Sequence, residues 1–289
     1  MNTLAIDIGG TKFTIALFEG ESMARRESRR TDRAGGRAWM MQQIEDIVLS
    51  WRSEIAIDRC GIGFGGPVDF ARQAVALSTH VEGWRDFPLV QRLRDWVGAP
   101  TVMDNDANAG ALGEAVFGAG QGFEPLFYMT LSTGIGGGII LPGGSVYRGA
   151  DSWAGEIGHV TIQPGGPECF CGARGCLERM CGGIWLERDF GMPASDLMQD
   201  PTFVKRYVCH LAQGLKAAVM LLNPARIVIG GGIAKAGGRL FVPLRRELQD
   251  QMTVWSGARV DVVPARLGDD SVLWGALELA KGLAIPAAS

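Results

Sequence analysis

Short apolar runs alternate with amphipathic helical patterns along the whole chain. The apolar runs predict strands over residues 4–8, 13–18, 59–64, 101–104, 126–131, 139–141, 227–229 and 260–263. Helical spacing of apolar positions predicts helices over residues 38–50, 87–97, 106–117, 203–222 and 271–281, with Asp86 as the cap of the second. Strands that alternate with helices are typical of an α/β architecture.

A strand, a glycine turn and a second strand occur in that order twice. The first turn follows Asp7 at residues 9–12, and the second covers residues 132–138. This repetition predicts two duplicated lobes that face each other across a cleft. We place the N-terminal small lobe over residues 1–105, completed by a C-terminal helix over residues 271–289, and the larger C-terminal lobe over residues 106–270.

Composition and charge argue against nucleic acid and membranes as partners of this protein. The chain has 289 residues, of which 47% are hydrophobic and 20% are charged, as in folded globular proteins. A net charge of −3 without a basic stripe argues against nucleic acid as a partner. The first strand begins without a basic and apolar leader, and no apolar run is long enough to span a bilayer. We therefore expect a cytoplasmic protein with no membrane partner.

The glycine turns predict anion sites, because successive backbone N–H groups in such a turn form a concave pocket. Thr11 and Lys12 add donors for phosphate oxygens in the first turn, and Asp7 is suited to hold hydrated Mg²⁺. An ordinary hairpin turn is the alternative, and the first turn lacks the spacing of a Walker loop. A third turn at residues 230–232 fits either a nucleoside or simple packing between a strand and a helix.

Asp106 stands where a predicted strand passes into the N-terminus of a helix. The helix dipole favours the ionised carboxylate there, and such a carboxylate can accept a proton from a substrate hydroxyl during phosphoryl transfer. Helix capping is the competing interpretation. The two roles are compatible if Asp104 or Asn105 caps the helix while Asp106 reaches the cleft.

The segment 156–178 contains three of the six cysteines and one of the three histidines. Three sulfur ligands and one imidazole match a structural zinc site, whereas the alternative is a set of buried, reduced cysteines. Glu156 and Glu178 bracket the segment and suit the hydroxyl groups of a polyhydroxylated substrate. The predicted zinc ligands are His159, Cys169, Cys171 and Cys176.

Together and in this order, the motifs resemble the ROK family, which comprises repressors, open reading frames and sugar kinases. The resemblance extends over essentially the whole chain and rests on Asp7-Ile8-Gly9-Gly10-Thr11-Lys12, Asn105-Asp106, residues 132–138, Glu156-Ile157-Gly158-His159, Cys169-x-Cys171-Gly172, Cys176-x-Glu178 and residues 230–232. It implies a two-lobed hexokinase/actin-like ATPase (ribonuclease H-like) fold with a zinc-braced loop. It also implies ATP and Mg²⁺ as cofactors, structural Zn²⁺, a hexose as phosphoryl acceptor, and assembly as a homodimer or homotetramer.

The resemblance assigns roles by position, and Asp106 matches the catalytic base. The positions that match sugar-binding residues are Gly66, His80, Asn105, Asp106, Glu156, His159 and Glu178. The positions that match cofactor-binding residues are Asp7, Gly9, Gly10, Thr11, Lys12, Thr133, Gly134, Gly231 and Gly232. His80 stands where many glucokinases of the family carry Asn, which leaves the identity of the sugar open.

The predicted function is ATP-dependent phosphorylation of a hexose with Asp106 as general base. Glucose, which would give glucose 6-phosphate, is the first candidate for the hexose. One alternative is a kinase for fructose, mannose, allose, N-acetylmannosamine or N-acetylglucosamine. A sugar-sensing regulator that does not catalyse is another. A non-sugar ATPase of the same superfold is the third, and it should lack the cysteine cluster.

Overall fold

The computed structural model of the chain describes residues 1–78, 81–255 and 257–284, which form two large β-sheets flanked by helices and one small two-stranded sheet. Its strands are β1 Asn2–Ile8, β2 Lys12–Glu19, β3 Ser22–Arg30, β4 Arg59–Phe64, β5 Val68–Asp69, β6 Ala74–Val75, β7 Thr101–Asn105, β8 Leu126–Leu131, β9 Ile135–Ile140, β10 Arg226–Gly230 and β11 Asp261–Pro264. Its α-helices are α1 Gly36–Glu54, α2 Leu89–Val97, α3 Asp106–Phe117, α4 Leu177–Cys181, α5 Gly183–Phe190, α6 Ala194–Leu197, α7 Pro201–Leu222, α8 Gly238–Met252 and α9 Ser271–Lys281.

The first sheet has the strand order β3-β2-β1-β4-β7. Strands β1 to β3 are antiparallel, and β4 and β7 extend the sheet parallel to β1. The second sheet has the order β11-β10-β8-β9, in which only the β8–β9 pair is antiparallel. Each sheet has its own buried core, formed with α1 and α2 for the first and with α7 and α8 for the second.

Helices α3 and α9 connect the two sheets. Helix α3 contacts β4 and β7 of the first sheet and β8 and β9 of the second, while α9 lies on α3 and on β1 and β4. Helices α3 and α9 can lie this close because Gly275 of α9 has no side chain. A Cβ there would lie 1.6 Å from the carbonyl oxygen of Ala109 in α3. Helix α9 therefore packs on β1, and the bounds of the two lobes stay a prediction.

The second glycine turn is shorter than its sequence indicates. Strand β9 already begins at Ile135, so Gly136, Gly137 and Gly138 belong to the strand and not to the turn. A Cβ on Gly138 would lie 2.3 Å from the carbonyl oxygen of Ala107, so glycine here lets α3 lie against the sheet. The prediction of a turn over residues 132–138 was wrong for this reason.

The start of the second helix also differs from the prediction. Asp86 has a φ of 49°, and α2 begins only at Leu89, after Pro88. The residue before a proline is disfavoured in helical conformation, so the helix does not extend back to Phe87. Asp86 is therefore not the cap of α2.

Two further elements have no clear sequence signal. Strand β3 has no buried residue, since its residues alternate between exposed and half-buried, and Met23 and Ala24 are its only apolar side chains. Helix α8 opens with glycine and contains Pro243, which breaks the expected helical pattern. Among the described residues, no helix combines the length and the apolar character needed to cross a bilayer.

Candidate active site

A cavity of about 860 Å³ lies between the two sheets. Its walls come from the turn after β1, the junction of β7 and α3, the turn between β8 and β9, the segment 153–178 and the residues that precede α9. Of the predicted site residues, it is lined by Asp7, Gly9, Gly10, Thr11, Lys12, Gly66, Asn105, Asp106, Thr133, Gly134, Glu156, His159, Cys171, Glu178, Gly231 and Gly232. Cys169 and Cys176 are buried behind this surface, and His80 lies outside the described residues.

Asn105 caps helix α3. Its side-chain oxygen accepts hydrogen bonds from the backbone N–H groups of Ala107 at 2.9 Å and Asn108 at 3.4 Å, and its amide donates to the carbonyl of Gly66 at 2.9 Å. The cap is thus supplied by the residue before Asp106. The carboxylate of Asp106 lines the cavity and accepts one hydrogen bond, from the N–H of Ala107 at 2.8 Å.

Burial raises the proton affinity of three acidic side chains that line the cavity, and the charge of Asp106 adds to the rise for the other two. Burial raises the pKa of Asp106 to about 6, although the N–H of Ala107 opposes the rise. Burial, with the charge of Asp106, raises the pKa of Asp7 to about 7. Burial, with the charges of Asp106 and Glu178, raises the pKa of Glu156 to about 7. A bound cation or several hydroxyl donors would relieve this repulsion, so the arrangement favours ligands of those kinds.

The two glycine turns meet across the cavity. The hydroxyls of Thr11, after β1, and Thr133, after β8, are 2.8 Å apart. The third turn lies beside them, and Gly231 has a φ of 91° with no space for a Cβ, which would lie 2.5 Å from the carbonyl oxygen of Leu131. Backbone from both sheets therefore converges at one end of the cavity, which we call the donor end.

Lys235 and Asp269 also line the donor end, and the sequence did not indicate either. Asp269 accepts from Lys12 at 3.3 Å and from Lys235 at 2.8 Å. The hydrogen bond from Lys235, followed by the charges of both lysines, lowers the pKa of Asp269 despite its partial burial. Only the position of Lys235 after the third glycine turn could have suggested its place here.

The predicted metal ligands form a compact cluster beside the part of the cavity that Glu156 and Glu178 line, which we call the acceptor end. The ligand atoms of His159, Cys169, Cys171 and Cys176 all lie within 4.8 Å of one another. The Sγ atoms of Cys171 and Cys176 are 3.7 Å apart, and Cys169 Sγ is 3.8 Å from His159 Nδ1. With Zn–S bonds of about 2.3 Å, a tetrahedral zinc site places its sulfur atoms about 3.8 Å apart. The donor set therefore fits zinc.

Glu178 connects the metal cluster to the second sheet. It follows Cys176 at the start of α4, is 5% exposed, and accepts a hydrogen bond from the backbone N–H of Ile135 in β9 at 2.8 Å. This bond fixes the carboxylate at the acceptor end, within reach of the charge of Glu156.

Two sheets joined by α3 and α9, with a cavity between them, define the class of the protein. It has the two-lobed hexokinase/actin-like ATPase fold, as the sequence predicted. The sequence model of the ROK family matches residues 3–282, and the chain belongs to this family.

Kinases of this family cover nearly the whole chain. Glucokinase of Thermotoga maritima is 31% identical, over 97% of this chain and 98% of that protein. The crystal structure of a ROK family glucokinase from Streptomyces griseus, in complex with glucose and AMPPNP, has a TM-score of 0.87 at 28% identity and covers 97% of this chain and 99% of its own. The ROK hexokinase from Thermus thermophilus has a TM-score of 0.78 at 34% identity, over 97% and 98% of the two chains.

Proposed function

We propose that the protein is an ATP-dependent hexose kinase whose preferred acceptor is glucose and whose product is glucose 6-phosphate. The observation that carries this proposal is the position of Asp106, between a donor end built of glycine turns and an acceptor end built of acids and a metal cluster. The glucokinases and the hexokinase that the chain resembles support it, and so does the pairing of glucose with AMPPNP in one of them.

In this proposal Asp106 is the general base. Its carboxylate accepts the proton of the sugar hydroxyl while the hydroxyl oxygen bonds to the γ-phosphorus and the bond from that phosphorus to the ADP oxygen breaks. Such transfers pass through a loose transition state, so orientation and charge stabilisation contribute more than covalent assistance. The Asn105 side chain caps α3, so the carboxylate of Asp106 is not needed as the cap and can act as the general base.

At the donor end, the backbone of residues 9–12, Thr133 and Gly134 binds the phosphate chain of ATP, and Gly231 and Gly232 accommodate the nucleoside. The concave arrangement of N–H groups and the ammonium group of Lys12 supply the positive potential. Asp7 is placed to hold the hydration shell of Mg²⁺, which when bound neutralises phosphate charge.

At the acceptor end, the hexose hydroxyls bind Gly66, Asn105, Glu156, His159 and Glu178. Zinc, when bound by His159, Cys169, Cys171 and Cys176, fixes the imidazole of His159 and the fold of the segment that carries Glu178. The carboxylates of Glu156 and Glu178 then accept hydrogen bonds from the sugar and leave the chemistry to Asp106.

A panel of hexoses tests the proposal. We expect ADP release from ATP and Mg²⁺ that depends on added hexose, with the highest kcat/KM for glucose. A higher kcat/KM for another hexose on the panel would replace glucose as the acceptor but keep the kinase. Sugar binding without ADP release, from folded protein that contains zinc, would instead identify a sugar-sensing regulator and overturn the proposal.

A further inference from the structure

Trp185 of α5 lies directly beneath the predicted metal site. Its side chain is 2% exposed and packs in one cluster with the ligands Cys169 and Cys176. Phe170, which stands between two ligands in sequence, stacks on the indole with ring centroids 4.0 Å apart and an interplanar angle of 29°. The segment 159–176, which we call the metal loop, thus rests on α5 through an aromatic pair.

The guanidinium groups of two arginines lie over the indole ring of Trp185. The guanidinium groups of Arg179 and Arg188 lie 4.5 Å and 4.4 Å from the centre of the Trp185 ring. Asp189 pairs with both, at 2.7 Å from Arg179 and 3.0 Å from Arg188. Cation–π attraction of this kind draws a guanidinium group to the face of an aromatic ring. The pairing with Asp189 also explains how Arg179 can be buried while charged.

This arrangement connects directly to the acceptor end. Arg179 follows Glu178 in sequence, and both belong to the short helix α4 that begins after the ligand Cys176. Phe170 itself lines the cavity and is 50% exposed. A shift of Trp185 would therefore displace Phe170, which stacks on it, and Glu178, which adjoins Arg179.

The ring, and not the indole N–H, accounts for the packing. Trp185 Nε1 is buried and has no hydrogen-bond partner among the residues that the structure describes. An unpaired buried donor lowers stability, so hydrogen bonding gives no reason for tryptophan at this position. The large aromatic surface that supports Phe170 and both arginines does give one.

We propose that Trp185 is a positioning residue: it seats the metal loop through Phe170 and fixes Glu178 through Arg179. The part of this inference that concerns the sugar rests on the proposed kinase function, whereas the part that concerns the metal does not. Phenylalanine at position 185 would keep an aromatic surface for the stack, and leucine would not.

The experiment compares four variants of the full-length, zinc-loaded protein. Trp185→Leu removes the aromatic surface on which Phe170 stacks, whereas Trp185→Phe retains an aromatic ring. Phe170→Leu removes the other ring of the stack, and because Phe170 is half-exposed the risk to folding is small. Phe190→Leu is the matched control, because Phe190 is 46% exposed at the other end of α5 and contacts Phe203 instead. The measurements are the rate of zinc release to a chelating dye and the KM values for glucose and ATP.

We expect Trp185→Leu to release zinc roughly tenfold or more faster and to raise the KM for glucose about fivefold, with the KM for ATP unchanged. Phe170→Leu should show the same pattern at about two- to fivefold, and Trp185→Phe and Phe190→Leu should stay within about twofold of the parent. Should Trp185→Leu fail to fold, Phe170→Leu decides. Unchanged zinc release in Phe170→Leu, or an equal rise of both KM values, overturns the inference. A parent protein without kinase activity would refute the proposed function alone, because zinc release is measured without sugar.

Discussion

Asp106 allows a direct test at the scale of one residue. In Asp106→Asn the amide cannot accept the hydroxyl proton, while Asn105 continues to cap α3, so the fold should persist. We expect kcat to fall about 10²–10⁴-fold, the usual contribution of a general base, with the KM for glucose within about threefold. Coupled ADP-release kinetics measure both constants. Asp95→Asn, on the exposed face of α2, is the control and should match the parent. A kcat within tenfold of the parent would remove Asp106 from the role of base.

The raised pKa of Asp106 predicts an acid limb in the activity profile. A general base works only when deprotonated, and burial raises the pKa of this carboxyl to about 6. Activity should therefore be lost as pH falls through this value, and kcat/KM should drop about tenfold for each further pH unit. The profile is measured with saturating ATP and Mg²⁺, under which a bound cation keeps Asp7 ionised. A flat profile between pH 7 and pH 5 would contradict the assignment.

The residues that could be predicted are those whose chemistry is local. Asn105 and Asp106 adjoin at a strand-to-helix junction, and His159, Cys169, Cys171 and Cys176 lie within one short segment. The residues that were missed depend on contacts between distant parts of the chain. Asp269 lies beside Lys12 only because α9 returns to β1, and Trp185 lies under the metal loop only because α5 folds back on it.

At the scale of elements, the contact between α3 and α9 is close enough to test with one methyl group. Gly275→Ala would place a Cβ 1.6 Å from the carbonyl oxygen of Ala109 and force the helices apart. We expect a loss of about 1–3 kcal/mol in the free energy of unfolding, although alanine favours a helix over glycine by about 1 kcal/mol. Urea unfolding measures it. In Gly282→Ala, at the end of the same helix, the added Cβ would meet none of the described residues nearer than 3.5 Å, so the free energy of unfolding should not change. Equal stability of the two variants would contradict the close packing.

The sequence pattern predicts an element well when the element is buried or has one apolar face. It does not predict an element that has neither feature. The bounds of β4, α3, β8 and α9 agree with the sequence pattern, because each is buried or amphipathic over its whole length. Strand β3 lies at the edge of its sheet, where none of its residues is buried, so its sequence shows no period of apolar positions. The glycines of β9 indicated a turn in the sequence, whereas in the structure their lack of a side chain lets α3 pack closely against the strand.

At the scale of the whole molecule, Arg148 links the two sheets. It follows β9 of the second sheet, and it pairs at 2.7 Å with Asp104 at the end of β7 in the first, a side chain that is 3% exposed. Arg148→Met leaves this buried carboxylate without its cation. We expect a loss of about 3 kcal/mol in the free energy of unfolding, together with a higher KM for glucose because Asn105 adjoins Asp104. Urea unfolding and kinetics measure the two effects.

The control for this prediction is Arg72→Met. Arg72 also faces an aspartate, Asp69, but its side chain is 67% exposed and the pair is 3.8 Å apart. Exposed pairs of this kind contribute about 0–1 kcal/mol, so stability should barely change. Similar losses in both variants would show that Asp104 does not depend on Arg148.

The position of α9 on β1 has a consequence for synthesis on the ribosome. Ala5 and Ala276 share one buried cluster, although the first is translated long before the second. Until α9 emerges, the nascent first sheet has an uncovered apolar face, and Asp269 is not yet beside Lys12. The donor end is therefore completed only after Asp269 and α9 have been translated, and a ribosomal product truncated before them would offer chaperones an exposed sheet and an incomplete donor end.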